Sequence, residues 1–99
     1  MTMIRHIVLF KFKPGVSWDD PRALEAEGMA AKVGGEVPDL QEWSTGRNIS
    51  TRPIAYDFAV IGLLEDEAAL DRYLVHPFHQ EAIRKWREIS EWVIADLEE

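Results

Sequence analysis

Two stretches of this chain, Met3 to Lys13 and Tyr56 to Leu64, alternate with the period of a β-strand and are apolar on both faces. In the first, Ile4, His6, Val8, Phe10 and Phe12 share one face, and Ile7 and Leu9 stand in the middle of the other. In the second, Tyr56, Phe58, Val60 and Leu64 oppose Ala59, Ile61 and Leu63, with Asp57 expected at the rim. A sheet wetted on one side alternates apolar with polar residues, so strands of this kind need cover on both sides.

The rest of the chain supplies cover for one side only. Pro14-Gly15 ends the first strand, and Ser17, Asp19 or Asp20 can cap a helix with Pro21 at its first position. That helix is predicted over Pro21 to Val33, with Leu24, Met29, Ala30 and Val33 apolar and Gly34-Gly35 as its stop. Leu40 to Arg47 reads as a weaker strand, setting Trp43 and Thr45 against Glu42 and Ser44. Asn48 to Pro53 is a polar connector. After the second apolar strand, Glu65-Asp66-Glu67 opens a helix to about Val75, with Leu70, Tyr73 and Leu74 inward. Pro77 cannot sit inside that helix, so His76-Pro77 marks a break. A second piece runs from Pro77 to about Glu88, with His79, Ile83 and Trp86 on one side. Ile89 to Leu97 closes the chain as a strand, with Ile89, Val93 and Leu97 opposing Trp92 and Ile94.

The order strand, helix, strand, strand, helix, strand predicts one α+β domain over residues 1–99, a ferredoxin-like β-α-β-β-α-β sandwich. Its helices pack on one face of the sheet. Ile7, Leu9, Ile61, Leu63 and Ile94 are then expected on the bare face. Five such side chains left in water forfeit about 1.5–3 kcal/mol each. That total rivals a whole domain's stability of about 5–15 kcal/mol. A homodimer whose sheets meet face to face in a barrel, with helices outside, removes the deficit.

Composition excludes several functions. There is no cysteine, hence no disulfide, thiolate nucleophile or Fe–S cluster. A net charge of −7 without a Lys/Arg cluster argues against nucleic acid. The run Ile7 to Phe10 is too short for a signal or membrane segment, so the expected compartment is the cytoplasm, with no membrane partner. The four tryptophans, Trp18, Trp43, Trp86 and Trp92, are scattered and read as core or interface.

Chemistry concentrates in Tyr73-Leu74-Val75-His76-Pro77-Phe78-His79, which holds two of the three histidines. His6 interrupts an otherwise apolar strand face. If His6 and Tyr73 converge on His79, they form a small apolar pocket with a few polar groups, the usual small-molecule site. An imidazole there can take and return a proton, and a phenol can orient it or donate to an oxyanion. No carboxylate is visibly paired with either histidine. His76, directly before a proline, reads as a cap at the helix break. A metal reading needs His76, His79 and a carboxylate such as Asp71 or Glu81, but Pro77 spoils the helical spacing. No metal and no cofactor is therefore expected.

Ile4-Arg5-His6-Ile7-Val8-Leu9-Phe10-Lys11-Phe12-Lys13 and Tyr73-Leu74-Val75-His76-Pro77-Phe78-His79 resemble the two signatures of the stress-responsive A/B barrel (Dabb) family. The closing Trp92-Val93-Ile94-Ala95-Asp96 matches as well, and the resemblance covers essentially the whole chain. It implies a dimeric α/β barrel. Plant members include a polyketide cyclase that closes a ring by aldol chemistry. In that cyclase the residue matching His79 is the general base, the tyrosine matching Tyr73 assists, and the histidine matching His6 lies in the pocket. The resemblance thus implies His79, Tyr73 and His6 as catalytic residues acting without a cofactor on a small apolar or aromatic carbonyl compound. The activities to compare are aldol cyclisation, isomerisation or a lyase step. Against them stand a non-catalytic stress-associated or ligand-binding dimer and, on fold analogy alone, a cofactor-independent monooxygenase.

Overall fold

The computed structural model describes residues 2–99. Its elements are β1 (Ile4–Phe12), α1 (Pro21–Glu36), β2 (Leu40–Arg47), β3 (Phe58–Leu64), α2 (Glu67–Val75), α3 (Pro77–Ile89) and β4 (Ser90–Glu98). The strands form one antiparallel sheet in the order β2-β3-β1-β4, and the helices lie on one side of it. This is the ferredoxin-like sandwich, with the second helix broken in two at His76-Pro77. No helix is long and apolar enough to cross a membrane among the described residues.

The helix starts follow local chemistry. Asp20 caps α1, its carboxylate accepting from the Arg22 N–H at 2.9 Å, with Pro21 in the first turn. Asp66 caps α2 by accepting from the Ala69 N–H at 2.8 Å. The His76 ring caps α3, its Nδ1 accepting from the Phe78 N–H at 3.1 Å.

Three expectations are corrected. First, α1 runs through Gly34-Gly35 to Glu36, and the missing Cβ at Gly34 admits the Trp43 side chain. A Cβ built there would lie 2.7 Å from Trp43 Cδ1. Second, α1 buries Ala23, Ala26, Ala30 and Val33, leaving Leu24 exposed. A stripe of small residues lets the helix lie close to the aromatic residues on the sheet. On α2 the buried residues are Ala69 and Tyr73, with Leu74 part-exposed.

Third, Ile94 belongs to the helix side. The α3–β4 junction falls between Ile89 and Ser90, and the resulting register sets Ile94 opposite Val8 and Asp96 opposite His6. The open-face residues of β4 are therefore Val93, Ala95 and Leu97, opposite Leu9, Ile7 and Arg5. Leu9, Ile61, Val93 and Leu97 stand exposed there. Leu63 does not: Arg5 of β1 and Glu42 of β2 both oppose it, and their 3.0 Å ion pair runs across it.

The core occupies the layer between helices and sheet in two parts. One gathers Phe10, Phe58, Trp86 and Ile89 under α1 and α3. The other gathers Val33, Leu64, Tyr73 and Ala82 around α2. The candidate site opens where these two parts meet.

Candidate functional site

A cavity of about 160 Å³ lies between the sheet and the helices. His6, Tyr73 and His79 all line it, with Val8, Ile83 and Ile94 among the apolar residues of its wall. The side chains singled out from the sequence therefore share one space. His76 is not among them, since its ring is spent on the cap of α3.

Tyr73 sits at the centre. Its ring centroid is 5.1 Å from that of His6, edge to face, and 4.1 Å from that of His79. The two histidines approach it from opposite layers, His6 from β1 in the sheet and His79 from the first turn of α3. The break at Pro77 makes this possible, because it ends the helix carrying Tyr73 and starts the one carrying His79 at a new angle.

Each histidine is held through Nδ1. At His79, Nδ1 lies 3.2 Å from the Leu74 carbonyl oxygen. A carbonyl only accepts, so Nδ1 carries the proton and Nε2 is left with its lone pair. Burial pushes the His79 pKa below its ordinary value, against the opposing pull of that carbonyl; His6 and His76 press it down further. The ring is thus neutral, with a free base nitrogen.

At His6, Nδ1 lies 2.5 Å from Asp96 Oδ1. The carboxylate fixes that ring in the tautomer whose Nδ1 is protonated. Sequence reasoning missed Asp96 as a partner. The only signal for it was register: β1 and β4 pair so that position 96 falls opposite position 6 on the cavity side. Tyr73 is pushed above the ordinary phenol value by burial, and the Asp96 charge adds to the effect, so its hydroxyl keeps its proton at neutral pH.

The metal alternative is not assembled. His76 and His79 bind different backbone groups, and no group of three or more His, Asp or Glu is placed to hold an ion among the described residues.

The comparisons with known proteins bear on this geometry. An uncharacterized protein of Streptomyces coelicolor is 51% identical over 96 residues, covering 97% of this chain and 99% of that protein. A dimeric ferredoxin-like protein of unknown function from Thermobifida fusca superposes with a TM-score of 0.85 at 26% identity, over 97% of this chain and 90% of its own. The hydroxynitrile lyase of Passiflora edulis shares the fold with a TM-score of 0.82 at 16% identity, over 98% of this chain and 93% of its own. Residues 4–99 match the sequence profile described as the stress responsive A/B barrel domain. With nearly its whole length matched, the chain belongs to the stress-responsive A/B barrel (Dabb) family.

Proposed function

We propose that this protein is a one-domain homodimer that catalyses cofactor-free proton transfer on a small apolar or aromatic carbonyl compound. The reaction is an aldol-type cyclisation, an isomerisation or a lyase step. The observation that carries this reading is the cluster in which Tyr73 packs against both His6 and His79, with His79 Nε2 left as a free base. His79 Nε2 takes the proton from the carbon beside the carbonyl and becomes imidazolium, while the carbonyl oxygen becomes an enolate. The Tyr73 O–H, kept protonated by burial, donates to that oxyanion. The enolate then attacks its electrophile, is reprotonated at another carbon, or expels a leaving group from the β-carbon, and Nε2 returns the proton to the new alkoxide, to that carbon or to the leaving group. His6, oriented by Asp96, is the secondary polar contact. The Passiflora edulis protein of the same fold is named a hydroxynitrile lyase, which supports the lyase alternative.

The dimer reading rests on the exposed Leu9, Ile61, Val93 and Leu97 of the open sheet face and on the dimeric state named for the Thermobifida fusca relative. Light scattering at micromolar concentration is expected to give twice 11.4 kDa. A mass equal to the single chain would overturn it.

A test of the chemistry does not need the physiological substrate. Enolisable aryl ketones incubated with the protein in D₂O should exchange their α-protons faster than in buffer, and His79→Ala should abolish the excess. If a folded wild-type protein that binds the ketone gives no excess exchange, the catalytic reading fails and a ligand-binding dimer stands.

A further inference from the structure

The unpaired polar atoms of the cavity wall set the complement that a ligand must bring. Trp43 lines the cavity, but its Nε1–H is spent on the Ala30 carbonyl at 2.8 Å. The Trp86 Nε1–H has no partner and is sealed by its neighbours, the one side-chain atom of that kind among the described residues. The Tyr73 hydroxyl, His79 Nε2 and His6 Nε2 also lack a partner in the protein, yet are not sealed. His6 is only 2% exposed, so the space onto which its Nε2 opens is the cavity that the residue lines.

The proposed proton transfer takes up the first two of these atoms and leaves His6 Nε2. Its character is fixed from the other nitrogen of the ring. Asp96 Oδ1, 2.5 Å from Nδ1, only accepts, so Nδ1 carries the proton and the neutral ring presents a lone pair at Nε2. A lone pair needs a donor. Val8 and Ile94, its neighbours on the cavity side of β1 and β4, have no side-chain donor to give. An apolar ligand that fills the cavity strips Nε2 of water and returns nothing, which costs affinity. A ligand hydroxyl restores the bond. The cavity volume is roughly that of a site for a single ring.

We propose that His6 Nε2 accepts a hydrogen bond from a hydroxyl of the ligand. The inference rests on the proposed carbonyl site and narrows its substrate class to a hydroxylated, ring-sized carbonyl compound. The carbonyl oxygen accepts from Tyr73, the acidic C–H is presented to His79 on the helix wall, and the hydroxyl is presented to His6 on the sheet wall. His6 then selects among ligands by their donor without entering the proton transfer, and Asp96 sets the tautomer that makes it selective.

Ketone pairs of nearly equal shape test this: meta-hydroxyacetophenone against meta-methylacetophenone, and the same pair in the para series. All four are titrated into ¹⁵N-labelled protein at about pH 7.5, above the ordinary imidazole value of about 6.5. Long-range ¹H–¹⁵N spectra follow the imidazole nitrogens, with His6 identified by its absence in His6→Phe. In at least one series the hydroxy compound is expected to bind roughly three- to tenfold more tightly, the ordinary worth of one neutral hydrogen bond. In the free protein the His6 Nε2 resonance should be that of an unprotonated nitrogen, and that hydroxy compound should move it upfield. His6→Phe keeps a ring against Tyr73 and should lose the preference, whereas His79→Ala should retain it. The wild-type affinities stand even if His6→Phe fails to fold. Equal affinities in both series, a preference that survives His6→Phe, or an Nε2 already protonated in the free protein overturn the His6 assignment and leave the carbonyl site untouched. Failure of all four ketones to bind overturns the carbonyl site and the assignment with it.

Discussion

The sheet wall and the helix wall of the cavity each present a histidine to Tyr73, and the two are held by opposite means. On the helix wall, His79 is bonded to a neutral carbonyl five residues earlier in the chain and is buried enough to be pushed toward its neutral form. On the sheet wall, His6 is bonded to the Asp96 carboxylate, ninety residues away in sequence and 2.5 Å away in space. The same side chain is thereby given two characters. A neutral, backbone-held imidazole offers a lone pair at Nε2, suited to taking a proton. A carboxylate-held imidazole is fixed in orientation and tautomer, suited to holding a polar group in place.

The sharpest way to break this contrast is to delete each wall in turn and read α-proton exchange. His79→Ala is expected to cost about 10²–10⁴ in rate, the usual worth of a positioned base. His6→Ala should cost clearly less, and an equal loss from both would mean that the two histidines act as one unit. The ring they share comes next. Tyr73→Ala empties a fully buried site and should destabilise the fold by about 3–5 kcal/mol in denaturant unfolding. Tyr73→Phe keeps the packing and should leave stability near wild type while slowing exchange. Normal exchange in Tyr73→Phe would remove the hydroxyl from the mechanism.

Asp96→Asn isolates the charge on the sheet wall. An amide oxygen can still accept from His6 Nδ1–H, so only the charge-assisted part of the bond is lost. The expected cost is about 1 kcal/mol, reduced because Asp96 is partly exposed. A loss as large as that from His79→Ala would reverse the roles given to the walls.

The smallest effect concerns pH. Because the His79 pKa is lowered in the folded state, the unfolded chain binds more protons just below the ordinary histidine value of about 6.5. Its contribution to stability is complete above that value and is lost as pH falls toward the folded value. The denaturant midpoint should therefore decline on acidification through this window, and His79→Gln should decline less. The exchange rate should rise with pH, with its midpoint displaced below the ordinary histidine value of about 6.5.

How much of this was legible in the sequence depended on how far apart the interacting residues lie along the chain. His79 and the cap at His76 could be read because a proline fixes the local backbone within one turn. The core face of β1 could be read because alternation is a property of the strand itself. On α1, Ala30 and Val33 were read as apolar positions and are buried, but Leu24 was favoured over Ala23 and Ala26, whose small side chains allow the closer approach to the sheet. Gly34 looked like a helix stop, but its role is set by Trp43 on another element. No carboxylate was visibly paired with His6 in the sequence, and only strand pairing set Asp96 against it.

The sequence by itself determined the element order, the helix starts, the two-faced strands and the break that separates Tyr73 from His79. These follow from steric and hydrogen-bonding rules that act within a few residues. Only the tertiary structure decided which carboxylate holds His6, which side of the sheet receives Ile94, and that the Trp86 N–H lacks a partner. Each of those depends on the register between β1 and β4 or on the packing of α3 over the sheet. A shift of one residue in that register would turn Asp96 away from the cavity and leave His6 without its carboxylate.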